Sequence, residues 1–172
     1  YFQRHDGQAV TCDDFVNAME AANDVGLTQF RRWYSQAGTP VLSVSEHYDS
    51  DAQTLSLTIK QDNPPTPGQP LKEPLHIPIK TGLILPDGNL AQCRLQGSDQ
   101  VSHKIVLELT ETEQTFVFEQ LPQKPVISLL RGFSAPVKLK MQRSLEELAF
   151  LLSHDPDTFN RWEAGQQLAG RV

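Results

Sequence analysis

The chain has 172 residues, 38% hydrophobic and 21% charged, which is enough apolar material for a packed core and too much for wholesale disorder. Its net charge of -6 repels phosphate backbones and argues against nucleic acid as a partner. The opening YFQRHDGQAV has no apolar core of a signal peptide, and no apolar run approaches the roughly 18 residues that span a bilayer, so membrane insertion is not expected.

From Tyr1 to about Gly38 the pattern is helical. Thr11 opens a T-x-x-D pattern with Asp14, in which a hydroxyl accepts from an early helical N–H and the acid suits the positive helix end. Phe15, Ala18, Met19 and Ala22 then recur at i, i+3, i+4 and i+7, which predicts one apolar face. Gly26 punctuates, and a second short helix carries Leu27, Phe30, Trp33 and Tyr34 until Gly38 and Pro40 stop it.

From Thr39 to Gln142 the period changes to 2. VLSVSEHY, TLSLTIK, PLHIPIK, HKIVLEL, QTFVFEQL, PVISLL and PVKLKM read as about seven short strands, separated by the turn signals DNPPTPGQP, PDGN and QGSD. Strands at this spacing without intervening helices predict a mainly β fold, an immunoglobulin/fibronectin-like sandwich with short helical segments at both ends. Alternation points Leu57, Ile77, Leu107, Phe116, Phe118 and Leu139 into its core. Pro74 and Pro78 remove ladder donors and predict an edge strand.

From Arg143 the pattern is helical again. Ser144 with Glu147 forms a capping box, followed by an apolar stripe of Leu145, Leu148 and Leu152. Asp155 as cap and Pro156 at the first helical position open a last helix carrying Phe159 and Trp162. The tail RWEAGQQLAGRV has no stop signal and the chain starts at Tyr1 rather than Met, so it reads as a piece of a larger protein.

Chemistry is sparse. His5, His47, His76, His103 and His154 form no H-E-x-x-H and no i, i+4 pair, and zinc needs three or four converging ligands. His5-Asp6 lies beside Gly7 and reads as a solvated loop. Cys12 sits at a helix start, which favours a thiolate, but no base accompanies it, and there is no G-x-S-x-G elbow. Cys12 and Cys93 lie far apart and form no CxxC, which fits a reducing, cytoplasmic compartment. The aromatic sets Phe30, Trp33, Tyr34 and Phe159, Trp162 read as packing, and Glu108, Glu111 and Glu113 as a solvated face.

Four blocks carry more. YFQRHDGQAVTCDDFVNAME, FRRWYSQAGTP, FSAPVKL and SHDPDTFNRWEAGQQLA together resemble the bacterial aminopeptidase N family of zinc-dependent gluzincin aminopeptidases, across essentially the whole chain. The resemblance implies a parent that removes N-terminal residues from peptides with zinc-activated water. Residues 1–38 would end its catalytic domain, 39–142 would be a β-sandwich domain, and 143–172 would begin a C-terminal helical domain. Those two neighbours would be the partners of the sandwich, with peptide substrates for the parent only. The family's H-E-x-x-H helix, distal Glu, catalytic Tyr and G-A-M-E-N strand find no match here, so no catalytic, cofactor-binding or metal residue is assigned to this chain. Asn17-Ala18-Met19-Glu20 lacks the Gly before and the Asn after, and lies in a helical pattern. The rival readings are a free-standing immunoglobulin-like binding module and a regulatory linker with its own ligand. On the enzyme reading the end helices lose their packing partners, which predicts fraying and self-association, with Trp33 the residue best placed to fold back on the sandwich.

Overall fold

The computed structural model describes residues 1–171. Three short helices open the chain: α1 (Phe2–His5), α2 (Cys12–Asn23) and α3 (Arg32–Ser35). The cap of α2 is reciprocal, because Asp14 N donates to Thr11 Oγ1 and Thr11 N donates to an Asp14 carboxylate oxygen at 2.8 Å. The face of α2 differs in part from the sequence expectation: Ala18 is buried and Met19 half-buried as expected, but Val16 is buried too, whereas Phe15 is 45% exposed and Ala22 is exposed. The Arg31 side chain lies along the side carrying Asp13, Asn17 and Glu20, which stays at the surface, with Asp13 and Asn17 exposed.

Nine strands follow among the described residues: β1 (Val41–Asp49), β2 (Thr54–Asp62), β3 (Ile77–Ile84), β4 (Cys93–Leu95), β5 (Val101–Ser102), β6 (Ile105–Leu109), β7 (Glu113–Glu119), β8 (Val126–Leu129) and β9 (Lys138–Met141). They form a six-stranded sheet, β5-β4-β7-β2-β1-β9, and a three-stranded sheet, β6-β3-β8. The seven strands read from periodicity are all present. The two extra ones, β4 and β5, are three and two residues long, too short to show a period. All ladders are antiparallel except β1 with β9. Register explains the core. Leu55 pairs with Phe118 and Leu57 with Phe116, while Ile77 pairs with Leu109 and Ile79 with Leu107, so each layer presents a continuous apolar face. Those residues are buried together with Leu42, Leu75, Leu121 and Ile127.

Two expectations fail inside the sandwich. Leu139 is 37% exposed, since β9 is the edge of the wide sheet and three strands cannot cover six. The strand bearing Pro78 is central, not an edge. Pro78 is tolerated because β8 pairs only with Thr81–Ile84. Lys80 N, of the same parity, turns away from β6 to Ser134 Oγ at 3.0 Å, so Pro78 would have aimed its missing N–H at the same unpaired side.

A 3-10 turn at Arg131–Phe133 and β9 lead to α4 (Leu145–His154) and α5 (Thr158–Ala169). Ser144 and Glu147 form the expected capping box. Leu148 and Leu151 are the buried residues of α4, while Leu145 and Leu152 of the predicted stripe are largely exposed. The cap of α5 is Asp157 rather than Asp155: Asp155 Oδ1 is occupied by Asp157 N two residues on, and Asp157 Oδ1 then accepts from Asn160 N. No helix of the described residues is long and apolar enough to cross a membrane.

Candidate functional site

The features that need explaining lie where the end segments meet the sandwich. Residues 70–76, just before β3, have no ladder, although buried Leu75 lies among them. Unpaired backbone groups there need other partners. Gln61 supplies some: Leu75 N donates to its Oε1 at 2.8 Å, and its Nε2 donates to the Leu75 and Glu111 carbonyls, each at 2.9 Å. The segment around α3 supplies more. Gln29 Nε2 donates to the Pro74 carbonyl at 3.2 Å and also to the Thr110 carbonyl beyond the segment at 2.6 Å, Arg32 Nη1 donates to the Pro74 carbonyl at 2.6 Å, and Trp33 Nε1 to the His76 carbonyl at 2.8 Å. Trp33 packs on the main core, as the sequence suggested. Gly38 makes the turn at φ 99, and a Cβ there would lie 3.2 Å from Asn63 Oδ1.

The opposite end docks differently. Ile84, Leu148, Leu151 and Ala164 form a second small core, flanked by Leu90, Val126, Phe150 and Leu168. Polar groups orient it: Arg143 Nη2 donates to the Ile127 carbonyl at 2.7 Å, and Asn160 Nδ2 to Ser128 Oγ and the Leu129 carbonyl, each at 2.9 Å. Burial pushes the Arg143 guanidinium down from its ordinary pKa, against the pull of Glu147 and Glu46. Asp157 Oδ2 accepts from Gly132 N at 2.8 Å, tying the 3-10 turn to α5. Trp162 remains 55% exposed, and the Phe159 ring lies tilted at 43° against Phe133 with centroids 3.8 Å apart.

The candidates from sequence do not converge. His5 lies against the Tyr1 ring at 5.2 Å, and Cys12 is exposed at the first position of α2. Burial pushes the Cys93 thiol up to about 11, which keeps it protonated at neutral pH. Asn17 and Glu20 of the N-A-M-E stretch both bind Arg31 from a helix. Glu108, Glu111 and Glu113 are exposed, Glu108 facing His76 at 3.7 Å. Among the described residues no three His, Cys, Asp or Glu side chains gather as a metal-binding group, so the residues present do not fit a zinc site. An open cleft of about 960 Å³ over β1, β2 and β9 is lined by residues such as Ser43, Lys60, Lys140, Arg143 and Arg171, with no imidazole among its lining residues to act as base.

Gln29, Arg31, Arg32, Gln61 and Asn160 were not singled out from the sequence. Only Gln61 carried a signal: it continues the Leu55, Leu57, Ile59 alternation as a polar residue on the apolar face, and it is 5% exposed.

Residues 38–142 match the family model described as Domain of unknown function (DUF3458) with an Ig-like fold, and residues 145–172 match DUF3458_C, described as ARM repeats. Over 98% of this chain the sequence is 48% identical to Aminopeptidase N of Escherichia coli (strain K12) and 45% identical to Aminopeptidase N of Haemophilus influenzae, covering 19% of each relative. Among solved structures, Legionella pneumophila aminopeptidase A in complex with aspartic acid aligns at a TM-score of 0.80 and 32% identity, over 97% of this chain and 18% of that one. The chain thus spans about a fifth of the length of the curated relatives it matches.

Proposed function

The chain belongs to the DUF3458 family of Ig-like domains, and from that premise we propose that it is the non-catalytic, architectural part of a zinc metallo-aminopeptidase that removes N-terminal residues from peptides. The observation that carries this reading is 48% identity to an aminopeptidase N across 98% of the chain. On this reading residues 1–38 end a catalytic domain, 39–142 are the linking sandwich, and 143–172 begin a helical domain. Zinc and substrate would be held by the preceding part of the parent, and no step of hydrolysis runs through the residues described here. The docked segments at both ends of the sandwich support a linking role. Phe2, Phe15, Phe133 and Trp162, exposed at those ends, are the surfaces that neighbouring domains would cover, and alone they would drive self-association. The free cysteines Cys12 and Cys93 accord with a cytoplasmic protein.

Reading the source open reading frame upstream of Tyr1 tests the proposal: an H-E-x-x-H with a distal Glu is expected, and its absence would favour a free-standing module. Metal analysis after dialysis, with an aminoacyl reporter assay, should show zinc and turnover in the whole protein and neither in this chain. One tightly held zinc per 172-residue chain would overturn the division of roles.

A further inference from the structure

Arg31 and Arg32 are consecutive yet serve different bodies. Arg31 reaches back to α2, donating to Asp13 Oδ1 at 2.6 Å, Asn17 Oδ1 at 2.7 Å and Glu20 Oε2 at 2.8 Å. Those positions are spaced i, i+4, i+7, so one guanidinium fork runs along two turns of one helical face. Arg32 reaches the sandwich, donating to the Pro74 carbonyl and pairing with the Glu73 carboxylate, both at 2.6 Å. Gln36 then mimics a strand partner: Glu73 N donates to its Oε1 at 2.7 Å, and its Nε2 donates to the Glu73 carbonyl at 3.0 Å. Gln69 returns the contact, accepting from Ala37 N at 2.7 Å and donating to the Ser35 carbonyl at 2.8 Å. Lys72 Nζ closes the set on the Ala37 carbonyl.

We propose that residues 29–37 are an external strap of the sandwich, replacing a missing strand along residues 70–76, and that Arg31 and Arg32 form a two-sided clamp that makes α2 and the sandwich turn as one body. The structural boundary of the sandwich then lies upstream of residue 38, where the family match begins. The two halves of the clamp differ in physics. The α2 half rests on ion pairs at the surface, whose partner Asp13 is 75% exposed. The sandwich half rests mainly on neutral carbonyls and amides and on the Trp33 ring. Because the Debye length shrinks to about 3 Å at 1 M salt, salt should free α2 and spare the strap. The proposal concerns this chain's own mechanics and holds whatever the rest of the protein catalyses.

Residual dipolar couplings and amide hydrogen exchange on the 172-residue chain test it. At low salt, N–H vectors of α2, β2 and β7 should fit one alignment tensor. Arg31→Met, or 1 M salt, should shrink the α2 couplings and speed α2 exchange about tenfold, leaving Ala37 and Glu73 unchanged. Gln36→Ala should speed exchange at Glu73 and leave α2 couplings in place. Deleting residues 1–26 should preserve protection at Glu73, and deleting 1–37 should abolish it while sparing Leu75, whose N–H is held by Gln61. A separate tensor for α2 in the unmodified chain, or equal protection after both deletions, would overturn the proposal. If the longer deletion prevents folding, Gln36→Ala still decides: no change at Glu73 would refute the strap.

Discussion

The two end segments flank the same sandwich and differ in the balance of polar and apolar contacts that attach them. The amino-terminal segment is held by side-chain hydrogen bonds to backbone, from Gln29, Arg32, Trp33 and Gln36, with one indole on the core. The carboxy-terminal helices share a dry cluster of Ile84, Leu148, Leu151 and Ala164. Net contributions differ accordingly. A hydrogen bond contributes about 0.5–1.5 kcal/mol and an exposed ion pair about 0–1, whereas burying one Leu contributes about 1.5–3. Hydrogen bonds, however, are directional. The amino-terminal attachment fixes orientation at modest stability, and the carboxy-terminal one adds an apolar cluster to the hydrogen bonds of Arg143 and Asn160 that orient it.

The largest perturbation removes the ground common to both. Phe118 is 0% exposed at the centre of the main core. Phe118→Ala should cost about 3–5 kcal/mol in chemical denaturation and should loosen both ends together. A loss under about 1 kcal/mol would mean the sandwich is not the shared anchor. Leu148→Ala separates the ends. Leu148 is 1% exposed in a cluster small enough to collapse in part, so a loss of about 2–3 kcal/mol is expected, near the lower end for such truncations. Exchange should quicken in α4 and α5, with no salt dependence, and remain unchanged at Glu73. Spread of the effect to Glu73 would erase the contrast.

The strands were legible because a two-residue period is a local property and one face of each must find a core. Boundaries slipped where tertiary partners decide. β3 starts at Ile77 rather than at Pro74 because Gln61 and the strap take the backbone groups before it. The face of α2 was read only in part: Ala18 is buried as its period required, but Val16 is buried off that period and Phe15 and Ala22 are exposed. In α4 four leucines offer several faces, and only the position of Ile84 selects Leu148 and Leu151 over Leu145 and Leu152. Asp155 and Asp157 are equivalent by composition, and the turn that occupies Asp155 decides between them. The docking residues were largely hidden, since Gln29, Arg32 and Asn160 bind backbone far away in sequence and leave no spacing to detect.

A matched pair of caps sharpens the comparison further. Thr11 and Ser144 make the same reciprocal box on α2 and α4. Replacing either by Ala should cost its own helix about 1 kcal/mol. For Ser144→Ala that loss should register in global unfolding, since α4 carries half of the second core's buried residues, Leu148 and Leu151. For Thr11→Ala it should register only as faster exchange within α2. Equal global effects would show α2 to be integrated as deeply as α4.

Acid provides the gentlest test, because it acts on α2 at two points. The Glu20 carboxyl is held below its ordinary 4.5, first by the hydrogen bond from Leu27 N and then by Arg31. The Asp14 carboxyl is held below its ordinary 3.8 by the Thr11 backbone and hydroxyl. A carboxyl depressed in the folded state adds stability that is present above its ordinary value and is lost as pH falls through the folded value. Between neutrality and about pH 5, α2 exchange should therefore follow base catalysis alone, and below about pH 4 it should show added opening. The groups facing Glu20 are Arg31 and, across the same guanidinium, Asp13. Glu20→Gln retains an acceptor for Leu27 N and removes the charge, so it should weaken α2 at neutral pH and flatten part of the acid response. In α4 the Glu146 carboxyl is also depressed, by its own backbone and Ser144, but that helix rests on Leu148 and Leu151, which do not titrate. Its opening should lag that of α2 as pH falls. Simultaneous opening of α2 and α4 would show that the two attachments do not differ in kind.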